Sequence, residues 1–279
     1  MHPLVTIERW EEQETMKSNP IKALLAQGKP TVGSWVTMGS LPAAEIMSLV
    51  GFDWLLVDCE HGPMDFEKAQ ALFQAIAASN CAPFIRVADN DAALIKRALD
   101  IGAMGVIVPM VNDRASAERA VRAAKYPPEG IRGIGAGRAQ LYGLDFEDYL
   151  ERANEEIMVI LQIEHRSAVD HIDEIVTVPG IDVLFIGPAD LSGSYGYKRL
   201  HSDLPGEVAE AIDKVVTSAK RAGVALGMWV ADAEATNQRI EQGFQFLGLA
   251  ADHLLLVSAC RAALRGVRRD RTPAAVTGT

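Results

Sequence analysis

The sequence predicts an α/β protein folded as a single closed (β/α)8 barrel, and three observations lead there. Short apolar runs alternate eight times with segments whose apolar residues recur at helical spacing. The connections are short, and no shift in composition marks a linker. Around residues 158–192, strand, helix and strand follow closely enough to require a parallel pair with a right-handed crossover. Eight such repeats meet the requirement for closure. An open doubly wound sheet would usually carry a Gly-rich nucleotide turn after its first strand, and WVTMGSLP contains none.

Taken in order, residues 1–18 read as a loosely held lead-in. Asn19 and Pro20 then give N-cap and first-turn signals for a helix over 21–27. The first strand spans 31–37 and its helix about 42–50. The second strand, 54–57, runs into DCEHG, and its helix covers about 66–79. The third, 83–87, carries Arg86 near its tip and precedes a helix at about 91–101. The fourth, 105–109, leads to a helix at 114–125. A long loop, YPPEGIRGIGAGRAQLYG, and a helix at 146–154 separate it from the fifth strand, 158–163, which ends on Glu164. Ala168, Ile172, Ile175 and Val176 place a helix over 167–178. The sixth strand, 182–186, opens into GPAD, which closes on Asp190. A helix at 206–222, a strand at 225–229, a helix at 233–242, a strand at 246–249 and a helix at 253–265 complete the count. The barrel domain therefore occupies 19–266, and the tail over 267–279 reads as disordered.

Composition narrows the function. The 279 residues are 49% hydrophobic and 23% charged, an ordinary globular balance. With 27 basic and 37 acidic residues the formal charge is −10, which argues against nucleic acid and anionic membrane as partners. Cys59, Cys81 and Cys260 show no paired spacing, so neither a disulfide framework nor a zinc site is expected, and a reducing cytoplasm fits. The acidic stretch IERWEEQET is unlike a signal peptide, and no apolar run approaches the roughly 20 residues of a membrane helix.

A barrel keeps its chemistry at the C-terminal ends of its strands. Those positions are Trp35, Asp58 with His61, Arg86, Pro109, Glu164, Asp190 and Trp229. Glu164 and Asp190 leave neighbouring strands at one end of the sheet, and two hard carboxylates with room for water suit Mg²⁺ or Mn²⁺. Arg86, inside the apolar FIRVA, needs a carboxylate partner or an anionic ligand; Asp58 offers the first and a substrate carboxylate or enolate the second. Asp58 and His61 also form a candidate pair for proton transfer. Trp35 and Trp229 are read equally as pocket lining or as barrel packing. His165, His171 and His253 are expected at the surface or as caps, and Met38, Met104 and Met110 in the core. None of the nine lysines lies within or at the tip of a strand, which disfavours a Schiff-base route.

Six separated motifs, DWLLVDCEHGP, PFIRV, LDIGAMGVIVPMV, YPPEGIRGIG, QIE and GIDVLFIGPADLSGSYGY, occur in one order over about residues 20–266. In these the chain resembles the metal-dependent pyruvate aldolases of the HpcH/HpaI family. The resemblance implies a (β/α)8 barrel that assembles as a homohexamer, a trimer of dimers that exchange the last helix, here about 253–265. It implies a divalent ion (Mg²⁺, Mn²⁺ or Co²⁺) on Glu164 and Asp190, Arg86 on the pyruvyl oxygen, and His61 with Asp58 handling protons. Gln162 matches a position facing the substrate, and the N–H groups of Gly187, Ala189 and Asp190 are expected to cradle the pyruvate carboxylate. Loop 133–143 departs from the family pattern and is expected to touch the variable end of the substrate; Arg132 and Arg138 are read equally as meeting a distal carboxylate or as solvated charge.

The implied reaction is cleavage of a 4-hydroxy-2-oxo acid to pyruvate and an aldehyde through a metal-stabilised enolate. Two alternatives use the same residues: an acyl-CoA lyase of the malyl- or citramalyl-CoA type, and a non-catalytic barrel that binds oxo acids.

Overall fold

The computed structural model describes residues 18–198 and 204–267, so the expected lead-in and tail lie outside the described residues apart from Ser18 and Val267. The chain runs α1 (Pro20–Ala26), β1 (Thr31–Val36), α2 (Leu41–Leu49), β2 (Trp54–Asp58), α3 (Phe66–Ile76), β3 (Ala82–Arg86), α4 (Ala92–Asp100), β4 (Gly105–Val108) and α5 (Arg114–Ala124). A 3₁₀ segment (Arg138–Gly143) then precedes α6 (Phe146–Glu156), β5 (Met158–Ile163), α7 (Arg166–Asp170), α8 (Ile172–Ile175), β6 (Val183–Ile186) and α9 (Pro188–Ser194). It closes with α10 (Gly206–Ala222), β7 (Ala225–Val230), α11 (Ala233–Glu241), β8 (Phe246–Ala251) and α12 (Asp252–Leu264). All eight strands are parallel and β8 pairs back to β1, so the sheet is a closed barrel. Among the described residues no helix is long and apolar enough to cross a membrane.

Local chemistry explains the rhythm. Asp65, Asp91, Asp113 and Asp232 each leave an extended stretch and accept hydrogen bonds from first-turn N–H groups of α3, α4, α5 and α11. The expected helix over 167–178 is broken in two at His171, whose φ −98° and ψ 12° leave the helical region although its N–H still donates to the Ser167 carbonyl at 3.1 Å. GPAD, expected as a loop, opens α9, since Pro188 sits at the one helical position that favours proline.

Alternation along each strand splits the core in two. Val57, Ile85, Leu161 and Ile186 face the helices. Trp54, Leu56, Phe84, Ile160 and Phe185 fill the barrel. Inside, Trp54 stacks on Phe246 at 4.0 Å between centroids, and Trp35 lies 5.9 Å from Trp54 and 5.3 Å from Phe185. This column needs Gly248, where a Cβ would come within 1.9 Å of the Trp35 ring. Register also slips between β1 and β8: Gly33 pairs with Gly248 but Trp35 with Ala251. Two residues of β8 thus oppose Ser34, a bulge that carries Asp252 onto the end of β1. There its carboxylate accepts the N–H groups of Thr37 and Met38 at 3.0 and 2.9 Å.

Candidate active site

The barrel-facing phase that places Trp54 and Leu56 inside puts Asp58 inside as well, and the phase of Ala82 and Phe84 does the same for Arg86. Asp58 and Arg86 are register partners on β2 and β3. Arg86 donates to Asp58 through Nε at 2.9 Å and Nη2 at 2.6 Å, a bidentate pair almost wholly shielded from water. Glu60 Oε2 lies 3.1 Å from the same Nε. Burial works against the Arg86 cation, but the hydrogen bond and charge of Asp58, backed by Glu60 and Glu164, outweigh it and hold the guanidinium above its usual range.

On β5 the same alternation carries Met158, Ile160, Gln162 and then Glu164 along the interior face. Both Gln162 and Glu164 are buried. Glu164 Oε1 accepts the Met110 N–H at 2.8 Å, and Oε2 accepts the Gln162 side-chain amide. Burial pushes the Glu164 carboxyl up; these two donors and Arg86 pull it back, while Asp190 pushes it further up. The net direction is upward, and burial is its largest cause. Gln162 Oε1 is buried without a hydrogen-bond partner. A Cβ at position 187 would sit 3.0 Å from Glu164 Cβ and 3.1 Å from Oε2, so glycine keeps the space beside the carboxylate open.

These features fit a hard divalent cation. Glu164 offers hard anionic oxygens, and a buried acceptor without a partner and space kept clear by Gly187 adjoin them. Among the described residues no three His, Cys, Asp or Glu side chains converge. Glu164 is buried at the strand tip while Asp190 is exposed at the start of α9, and an ion held there would take other oxygens to complete its shell.

Several expected residues behave differently. Asp58 orients Arg86 rather than the His61 ring: it meets His61 only through the backbone N–H, at 3.4 Å, and the His61 side chain is exposed. Gly187 does not offer its N–H to a ligand, having donated it to the Ile163 carbonyl at 3.1 Å. Ala189 and Asp190 keep theirs outside the helical ladder, which starts with the Leu191 N–H on Gly187. Of the two readings of Trp35, the structure shows packing, for it is 5% exposed within the aromatic column. Met38 and Met110, expected in the core, are 39% and 47% exposed at the strand tips.

Loop 133–143 lies at the other end of its own barrel. Arg138 donates to the carbonyls of Ile101 and Phe73, at the C-terminal ends of α4 and α3. Arg132 is buried, donating to Asp100 at 2.8 Å and Tyr149 at 3.2 Å. Neither guanidinium is available to a substrate above Glu164. A cavity of about 410 Å³ also opens at that lower end, lined in part by Lys22, Met158, Asp182, Lys220 and Ala225. Its charges are already engaged, Lys22 with Asp182 at 3.0 Å and Lys220 with the Gln242 carbonyl at 2.9 Å, so the chemistry belongs to the carboxylate end. Burial pulls Lys125 down to about 8, but its amine donates to the carbonyls of Asn154 and Ile157 below β5. It therefore cannot serve a Schiff base at the mouth.

The residue that sequence reasoning missed is Glu60. Burial pushes its carboxyl up, Arg86 pulls it down, and Glu164 pushes it up again, which places it in the same field as the site. Its neighbour Cys59 is inert: burial first, then the charges of Asp58 and Asp65, push the thiol up to about 12.

Known proteins share this arrangement of sequence and fold. A hydroxypyruvate/pyruvate aldolase of Deinococcus radiodurans is 41% identical over 88% of this chain and 88% of its own length. A 4-hydroxy-2-oxo-heptane-1,7-dioate aldolase of Shigella flexneri is 38% identical over 88% of this chain and 91% of its own. The crystal structure of an HpcH/HpaI aldolase/citrate lyase family protein from Burkholderia cenocepacia superimposes with a TM-score of 0.85 at 37% identity, covering 90% of this chain and all of that one. The family model described as HpcH/HpaI aldolase/citrate lyase matches residues 32–259, and the chain belongs to that family.

Proposed function

We propose that this protein is a divalent-metal-dependent aldolase that cleaves, and in reverse forms, 4-hydroxy-2-oxo acids, releasing pyruvate and an aldehyde. The observation that carries the reading is the interior cluster of Asp58–Arg86, Gln162 and Glu164 at the tips of β2, β3 and β5, with Asp190 acting electrostatically on Glu164. A divalent ion held by Glu164 and Asp190 would supply Lewis acidity at the 2-oxo oxygen. Arg86, its direction fixed by the fork on Asp58, offers positive charge where the C2 oxygen gains electrons as the C3–C4 bond parts. The N–H groups of Ala189 and Asp190 at the start of α9 receive the substrate carboxylate. His61, exposed at the mouth, accepts the proton of the C4 hydroxyl, whose oxygen becomes the aldehyde carbonyl. The electron pair of the broken bond stays on C3 as pyruvate enolate, and a proton returned to C3 completes pyruvate. Gln162 Oε1, unpartnered when the site is empty, accepts a hydrogen bond from a donor within it.

The relatives' names divide between a heptanedioate aldolase and a hydroxypyruvate/pyruvate aldolase, so the test spans both. Coupled pyruvate detection on a panel of 4-hydroxy-2-oxo acids should show release that EDTA abolishes and Mg²⁺, Mn²⁺ or Co²⁺ restores. Synthesis from hydroxypyruvate and aldehydes is assayed beside it. Borohydride with substrate should trap no lysine adduct. A trapped lysine reverses the mechanism, and acetyl-CoA release from malyl-CoA without aldolase turnover reverses the substrate class.

The working unit is proposed to be an oligomer of cytoplasmic subunits, a hexamer built as a trimer of dimers that exchange α12. Leu254, Leu256, Val257 and Leu264 on α12 are each more than 40% exposed, and Ile46 and Leu49 on the adjoining α2 more than 60%. An apolar face of this kind is seldom left to water. Light scattering should give six subunits, and Leu256→Lys should lower that number; a monomeric wild type rejects the assembly. The free thiols suit a reducing compartment.

A further inference from the structure

We propose that Met110 is a positioning residue whose left-handed backbone, and not its side chain, sets Glu164 for metal binding; the inference rests on the functional reading above. Met110 has φ 53°, a conformation unfavourable for any residue with a Cβ, which is driven toward the following carbonyl oxygen. Beyond β4 the chain passes through Pro109, which has no N–H, so Met110 supplies the first donor past the strand. That N–H points across to the neighbouring strand and lies 2.8 Å from Glu164 Oε1. The other oxygen is held by the Gln162 amide, so the carboxylate is gripped at both ends and cannot rotate about its terminal bond.

The strain persists because the chain is fixed on both sides. Upstream, Ile107 and Val108 are paired with Ile160 and Leu161. Downstream, the N–H groups of Asn112 and Asp113 donate to Ser116 Oγ at 3.2 and 3.0 Å within the capping box of α5. A left-handed residue over-determined in this way, beside a reacting group, directs an N–H that ordinary backbone would turn elsewhere. The thioether, 47% exposed, is not a party to the hydrogen bond.

A backbone role and a side-chain role predict different orders of damage. Met110→Gly and Met110→Asn tolerate the left-handed region, whereas a β-branched residue does not. Mn²⁺ is titrated into metal-stripped wild-type and variant proteins by electron paramagnetic resonance, with the melting temperature recorded for each. Gly and Asn should bind Mn²⁺ like the wild type, and Met110→Val should weaken binding by about tenfold or more. Equal loss in Gly and Val overturns the inference, as does a Val variant that melts lower but binds Mn²⁺ normally. A wild type that takes up no Mn²⁺ overturns the functional reading and this inference together, while a wild type that binds alongside a flat series overturns this inference alone.

Discussion

Glu164→Gln should lower kcat/KM for pyruvate release by at least about 10²–10³-fold while leaving the metal-free protein no less stable than the wild type at neutral pH. The loss follows from removing one of the two carboxylates proposed to hold the ion, the one whose charge also acts on Arg86. The retained stability follows from the direction of the carboxyl's shift. Burial holds the folded-state pKa of Glu164 above its ordinary value of 4.5. Between those two values the folded protein keeps a proton that the unfolded chain has released, so this group's contribution falls as pH rises through the window. Below 4.5 both states are protonated and the penalty vanishes. Glutamine has no such penalty. Its carbonyl accepts the Met110 N–H, and its amide finds an acceptor if Gln162 turns its unpartnered Oε1 inward. Urea unfolding in EDTA should show the variant's advantage widening from pH 4.5 upward through that window. A variant less stable than wild type at every pH would contradict this account.

Arg86→Met should be the most destabilising single change at the site, costing about 3–5 kcal/mol, because it strands a buried carboxylate. The side chains of Arg86 and Asp58 are 9% and 2% exposed, so water cannot replace the lost partner. Glu60, 3.1 Å from Nε, loses its counter-charge as well. Activity should fall by about 10²–10³-fold with it, since the charge facing the 2-oxo oxygen is gone. The double variant Arg86→Met/Asp58→Asn separates the two effects. Removing the stranded charge should return part of the stability, read from the urea midpoint, and none of the turnover. If the double variant unfolds as easily as the single, the ion pair is not what holds β2 to β3 at their tips.

The fold was legible because each strand carries its own evidence. Unbroken apolar runs such as WLLV mark the strands, and between them segments such as Ala168, Ile172, Ile175 and Val176 recur at helical spacing. Strand-end position likewise singled out Arg86 and Glu164, both buried at the strand tips, and Asp190, which is exposed. What escaped lies where periodicity falls silent. In DCEHG the chain leaves the pleat at Asp58, and nothing in the residue order says that Glu60, rather than the His61 ring, turns back toward Arg86. Met110 looked like core because its polar role belongs to the backbone, and a left-handed methionine has no signature in residue type. Loop 133–143 was assigned to the substrate by its departure from the family pattern. Its place between α5 and β5 sets it among the helix-to-strand turns, on the face away from the strand tips.

The aromatic column through the barrel also governs traffic. Trp35, Trp54, Phe84, Phe185 and Phe246 pack across the lumen between the strand tips and the lower cavity. In the proposed reaction both reactants then share one doorway. An oxo acid held deeper than its aldehyde partner would enter first in synthesis and leave last in cleavage, a kinetic order set by the plug rather than by any catalytic group.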